Sequence, residues 1–141
     1  MEHRSPEPGP ALTSRIIRLG IKVHRKLGPG LLEAFYQDSL CWELHNDGLH
    51  VQREVPLPSV YEDIRSNKVY RADIIVNKTV LLELKSVECI LPVHKAQTLT
   101  YLHLSGCSVG LLMNFNCVLL KDGLRRFIAR PGKPSPVPAE P

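Results

Sequence analysis

The sequence predicts an α/β domain, bordering on α+β, in which helices flank a central mixed sheet and the elements run ααβββαβββ. Three observations predict it. Apolar residues recur at helical spacing in two early segments and again after Pro92; short apolar runs rich in Val, Ile and Leu fill the middle and the end; turn-forming residues separate these segments.

Taken in order, Ile16, Leu19, Val23 and Leu27 mark a first helix, with Thr13 or Ser14 as its N-cap and Gly28-Pro29-Gly30 as its stop. A second helix is expected from Leu31 or Leu32 through Leu40 and Leu44 to His45-Asn46-Asp47-Gly48, where Gly48 suits a left-handed C-cap. Val51, Arg53, Val55 and Leu57 alternate like a strand with one wet face, and Pro56 and Pro58 push it to a sheet edge. A turn at Ser66-Asn67-Lys68 precedes strands at about 69–76 and 80–86. A helix from Val93 to about Leu104 ends at Gly106. Strands then follow at Val109–Phe115, Cys117–Leu120 and, after the turn Lys121-Asp122-Gly123, Leu124–Ile128.

A chain of 141 residues is long enough for one domain with a real core. Eight of its 12 prolines fall in the ends, so residues 1–11 and 131–141 are expected as disordered tails and 12–130 as the folded unit. The net charge is +4, and without the tails' Glu2, Arg4, Glu7, Lys133 and Glu140 the folded unit carries about +5, a moderate excess that suits a polyanionic partner without requiring one. No apolar run approaches the roughly 18 residues that span a bilayer, and the start lacks a signal-peptide apolar segment. Cys41, Cys89, Cys107 and Cys117 form no close metal-binding pair and are expected as reduced, mostly buried thiols. These features describe a soluble, intracellular, cytoplasmic protein.

The middle strands carry an anomaly. Asp73 lies in Ala72-Asp73-Ile74-Ile75-Val76, and Glu83 and Lys85 lie in Val80-Leu81-Leu82-Glu83-Leu84-Lys85, so three charges enter what the pattern makes a buried sheet. Register decides what they do. A two-residue turn at Asn77-Lys78 would send Asp73 and Glu83 to opposite faces. A three-residue connection, Asn77-Lys78-Thr79, pairs Val76 with Val80 and sets Asp73 opposite Glu83, with Lys85 on the same face. The odd-length loop is expected, with Asn77 or Lys78 left-handed.

Two carboxylates about 4 Å apart repel by about 4 kcal/mol at an effective dielectric of 20. A hard divalent cation relieves that repulsion, and magnesium would keep waters for a substrate phosphate. A lysine beside it can orient a water and stabilise charge developing on phosphorus. The chemistry suggested is metal-assisted hydrolysis of a phosphodiester.

Five segments together resemble a known family. They are Val23-His24-Arg25-Lys26-Leu27-Gly28-Pro29-Gly30-Leu31-Leu32-Glu33-Ala34-Phe35-Tyr36, Tyr70-Arg71-Ala72-Asp73, Glu83-Leu84-Lys85, His94-Lys95-Ala96-Gln97-Thr98-Leu99-Thr100-Tyr101, and Gly110-Leu111-Leu112-Met113-Asn114-Phe115. In this order they resemble the PD-(D/E)XK nuclease superfamily and, within it, the small GxxExxY protein family, over roughly Ile16 to Ile128. The resemblance implies a restriction-endonuclease-like core. It implies Asp73 and Glu83 as ligands of Mg2+ or Mn2+, the Leu84 carbonyl as a further ligand, Lys85 as the catalytic lysine, and Glu33 as the helix acid of the site. Gln97 and Tyr101 match the Q-x-x-x-Y element of RecB-like exonucleases, whose helix lines the site.

Glu33 shares a helix face with Tyr36, as Gln97 does with Tyr101, so both pairs are expected at one cleft. Arg25, Lys26, Arg71 and Lys95 lie close in sequence to the proposed site and are candidates for backbone phosphates. His24 and His94 are expected as packing or capping residues and Asn114 as a turn-closing one. The function expected is a metal-dependent nuclease acting on nucleic acid, DNA ahead of RNA, with a homodimer by analogy to small nucleases of this fold. The rival is a non-catalytic nucleic-acid-binding or adaptor module on the same fold.

Overall fold

The computed structural model describes residues 10–65 and 70–129. Both proline-rich ends, up to residue 9 and from residue 130, and the turn expected at Ser66-Asn67-Lys68 lie outside the described residues. Helix α1 spans Pro10–Leu27 and α2 spans Glu33–Asn46. Strands β1 (Val51–Leu57), β2 (Val60–Tyr61), β3 (Ile64–Arg65), β4 (Tyr70–Val76) and β5 (Val80–Lys85) follow. Helix α3 (Pro92–Ser105), strand β6 (Val109–Asn114), a 3-10 turn at Leu120–Gly123 and strand β7 (Leu124–Ile128) complete the domain.

Five strands form one mixed sheet in the order β1-β4-β5-β6-β7, in which only the β5–β6 pair is parallel. That pair needs a crossover, and α3 supplies it. One apolar cluster joins Ile16, Leu19 and Val23 of α1 and Leu40 and Leu44 of α2 to Ile74, Val76, Leu82 and Leu84. A second joins Tyr101 and Leu102 of α3 to Leu57, Ala72, Ile75 and Leu81. Helices α1 and α2 therefore cover one face and α3 the other, which is the expected α/β class. Strand β5 is central and carries Glu83 into the interior at 3 % exposure.

The β4–β5 register is the expected odd one. Val76 pairs with Val80, Ile75 with Leu81 and Ile74 with Leu82, and both Asn77 and Lys78 are left-handed, at φ 50° and 58°. Strand β1 is an edge strand, as its prolines required. Gly48, at φ 84°, follows the end of α2 in the left-handed region that a side chain would resist.

Several expectations are corrected. Helix α1 starts at Pro10, so Thr13 and Ser14 lie inside it and do not cap it; Thr13 is buried. The stretch Cys117–Leu120 is not a strand: Val118 and Leu119 are exposed and only Leu120 turns inward. The chain needs those residues to reverse direction between antiparallel β6 and β7. A small hairpin, β2–β3, lies between β1 and β4 in the chain, where the sequence reading places no strand. Of the four free thiols, Cys41 and Cys107 are buried while Cys89 is exposed and Cys117 lies between.

Gly123 presses on the sheet's end. A Cβ there would run into the backbone carbonyl oxygen of Asn114 and come to 3.0 Å from Cys117 Sγ. Asn114 pairs in register with Lys85, so the strain would be transmitted to the end of β5. Gly123→Ala should lower stability by about 1–3 kcal/mol. Chemical denaturation would measure it, and an unchanged midpoint would contradict this packing.

Candidate active site

Beyond the rung Ile74↔Leu82, side chains take over from the β4–β5 ladder. The backbone N–H of Asp73 donates to the Glu83 carboxylate at 3.0 Å, and the backbone N–H of Leu84 donates to the Asp73 carboxylate at 2.8 Å. Each acid thus satisfies a backbone donor on the neighbouring strand and is held to one orientation. Such a bond to an ionised acceptor is worth about 1.5–3 kcal/mol, which offsets part of the burial cost.

It does not offset all of it. Burial, with the charge of Asp73 next, pushes the Glu83 carboxyl up to about 8. Burial likewise pushes Asp73 up to about 6, and Glu33 and Glu54 add to the rise while the Leu84 N–H and Lys85 oppose it. The two acids lie close together, Glu83 buried and Asp73 half-buried, with more negative charge near them.

Lys85 lies two residues beyond Glu83 on β5 and reaches toward α3. Its Nζ donates to Gln97 Oε1 at 3.1 Å, and Gln97 Nε2 donates to the Tyr101 hydroxyl at 3.2 Å. The spacing of four along α3 puts Gln97 and Tyr101 in line, and Tyr101 is 8 % exposed. One hydrogen-bonded chain therefore runs from the lysine into the α3 side of the core.

Glu33 opens α2, exposed, close enough to both acids to raise their pKa values. Tyr36 is fully buried. Its ring stacks on Phe115 at 4.6 Å, and its hydroxyl donates to the Gly28 carbonyl at 2.5 Å and accepts from Leu31 N–H at 3.1 Å. It fastens the loop that leads to Glu33. His94 caps α3 by accepting the Leu91 N–H, and His24 packs near Phe115 with its Nε2 at 2.8 Å from the Cys117 carbonyl. Asn114 closes the turn after β5 by bonding both the N–H and the carbonyl of Val87.

Two residues at this site are missed by the sequence reading. The β1–β4 ladder has rungs at Arg53↔Ile74 and Val55↔Ala72 but none at Glu54, whose φ is 48°. Gln37 of α2 fills that gap: its Nε2 donates to the Glu54 carboxylate at 2.9 Å and to the Asp73 carbonyl at 3.2 Å. Gln37 lies four residues after Glu33 on one helix face, a spacing that could have nominated it. Glu54 could have been found only by carrying the strand register across to Asp73.

Among the described residues no group of three or more His, Cys, Asp or Glu side chains forms a ready metal cage. A magnesium site does not need one, since this ion uses one or two carboxylates and keeps waters. Asp73 and Glu83 each spend one oxygen on a backbone N–H, and their donor chemistry fits a hard divalent cation. The described cavity between α1 and α2, lined by Val23, Leu27 and Trp42, shares no residue with this cluster.

Residues 10–127 match the PD-(D/E)XK nuclease superfamily. The chain belongs to that superfamily. No curated protein and no solved structure matches it. The five-stranded mixed sheet between helices is the α/β, restriction-endonuclease-like fold of these nucleases. Nucleic acid as partner and divalent-metal chemistry follow at the level of the superfamily. Within the chain, no helix among the described residues is long and apolar enough to cross a membrane.

The raised carboxyls set the pH dependence of stability without metal. Between about 4, where these acids ionise in the unfolded chain, and about 8, the folded state binds more protons, so stability falls as pH rises through that window. In chelator, wild-type protein should melt lower at pH 8 than at pH 5. Glu83→Gln should recover about 3–6 °C at pH 8; equal slopes for the two proteins would contradict the burial account. Gln37→Leu keeps an apolar fit but leaves the Asp73 carbonyl and Glu54 without their donor. It should lower turnover about tenfold while the Tm moves by only a few degrees, and Gln37→Glu should not rescue it.

Proposed function

We propose that this chain is a Mg2+- or Mn2+-dependent nuclease that hydrolyses phosphodiester bonds of nucleic acid, with DNA favoured over RNA by analogy, in the GxxExxY branch of the superfamily. The observation that carries this reading is the desolvated pair Asp73 and Glu83 with Lys85 two residues on. In this reading Asp73, Glu83 and the Leu84 carbonyl would hold the metal, with exposed Glu33 as a further ligand. The ion supplies Lewis-acid polarisation of the phosphodiester and lowers the pKa of water.

The protein's own groups do the rest. Lys85, steadied by Gln97, donates to a non-bridging phosphate oxygen as charge builds and keeps the attacking water on line. Tyr101 steadies Gln97. Tyr36 holds the loop from which Glu33 projects, and so acts by positioning. Exposed Arg71 sits two residues from Asp73 and offers a phosphate contact. Because α1 opens at Pro10, the working unit proposed is residues 12–130 together with Pro10 and Ala11, with residues 1–9 and 131–141 as tails; the enzyme acts in the cytoplasm, and a homodimer is the assembly proposed.

The test is cleavage of single-stranded, duplex and flapped DNA and of RNA by the full chain, with Mg2+, Mn2+ or chelator. Asp73→Ala, Glu83→Ala and Lys85→Ala should each reduce cleavage by about 100-fold or more, and chelator should abolish it. Cleavage that survives all three substitutions would overturn the site. Failure of the intact protein to cut any substrate would favour the adaptor reading.

A further inference from the structure

Strands β1 and β4 continue past the end of the sheet as a protruding arm. Leu57 pairs with Tyr70 at its base, and the β2–β3 hairpin, with rungs Val60↔Arg65 and Tyr61↔Ile64, forms its outer part. The arm leaves from the Tyr70 end of β4, three residues before Asp73 at mid-strand, while the opposite end turns through Asn77 into β5.

Its surface is unusual for a solvated hairpin. Val60, Tyr61, Ile64 and Tyr70 are 55 %, 73 %, 62 % and 48 % exposed. One such residue needs no explanation; here Tyr61 and Ile64 are paired across the hairpin and share a face, and Tyr70 adds an exposed ring at the base. Tyr70 connects it to the site. Its ring leans at 45° on Tyr101 with centroids 5.9 Å apart, and Tyr101 is the end of the hydrogen-bonded chain from Lys85. This tilted contact leaves Tyr70 about half exposed. Three residues of strand, about 10 Å, separate Tyr70 from Asp73, a span of one to three nucleotides.

The charges beside it select the ligand. Arg71 and Arg65 are exposed on the arm, whereas Glu62 and Asp63 form its outermost turn. The base of the arm therefore attracts phosphate and its extreme tip repels it. Aromatic rings next to arginines suit bases with a free π-face, which paired bases inside a duplex do not offer.

We propose that the arm, with Tyr70 as its principal stacking surface, binds unpaired nucleobases beside the scissile phosphate, so that the site takes single-stranded nucleic acid. The proposal rests on the nuclease reading for the identity of the site, but its test does not require cleavage. Labelled single-stranded DNA and RNA oligonucleotides, and the duplex of the same sequence, are titrated in chelator with full-length protein.

Wild type should bind one or both single strands more tightly than duplex. Tyr70→Ala should weaken single-strand binding about tenfold and duplex binding less, while Tyr70→Phe and Tyr70→Trp should retain wild-type affinity. A 2-aminopurine placed in the strand should be quenched by wild type and by Tyr70→Phe, and not by Tyr70→Ala. Equal single-strand affinity for wild type and Tyr70→Ala, or an equal loss on both substrates, would overturn the proposal and leave a surface suited to a protein partner. Duplex cleavage that proceeds without this preference would overturn it alone, whereas a stacking signature without cleavage of any substrate would overturn only the nuclease reading.

Discussion

Two acids locked to each other's strands, Glu83 buried and Asp73 half-buried, are the constraint from which the rest of this structure follows. Asp73 and Glu83 each replace a rung of the β4–β5 ladder with a carboxylate-to-backbone bond, so neither can turn away to water without orphaning an N–H on the neighbouring strand. The same bonds bring their charges together, and burial raises both carboxyls. An apolar pair at these positions would make a more stable sheet. The fold instead holds a site that is incomplete in its charge balance, as expected where a cation and a phosphate are to be received.

The surrounding elements are arranged to keep that site in place. Helix α2 approaches from one side, with Glu33 at its start and Gln37 a turn later clamped to Glu54 and to the Asp73 carbonyl. Helix α3 approaches from the other, where Gln97 and Tyr101 fix the lysine. Tyr36 fastens the loop before α2 by both hydrogen-bonding capacities of its hydroxyl. Two helices on opposite faces of one sheet thus meet at the end of its central strand.

Much of this was legible in the chain because it depends on periods and loop lengths. The three residues Asn77, Lys78 and Thr79 set the register, and the register alone places Asp73 opposite Glu83. The prolines of β1 announced an edge strand, and His94 and Asn114 proved to be capping and turn residues. What failed depends on tertiary context. Cys117-Val118-Leu119-Leu120 has the composition of a strand, yet Val118 and Leu119 are exposed and the stretch only carries the chain from β6 to the 3-10 turn that leads into β7. Glu54 and Gln37 carry no motif, since their meaning comes from a missing rung between two strands far apart in sequence. Tyr36 looked like a cleft residue by helical spacing, but the nearest partners for its hydroxyl are the backbone groups of its own preceding loop.

The central claim is that Asp73 and Glu83 act together on one cation. Calorimetric titration of Mn2+ into the full-length protein, beside Asp73→Asn and Glu83→Gln, tests it without any substrate. The account predicts saturable binding to wild type and a loss of affinity of about tenfold or more in each variant, with the double variant little worse than either single one. Binding that is unchanged in both variants, or absent from the wild type, would contradict it.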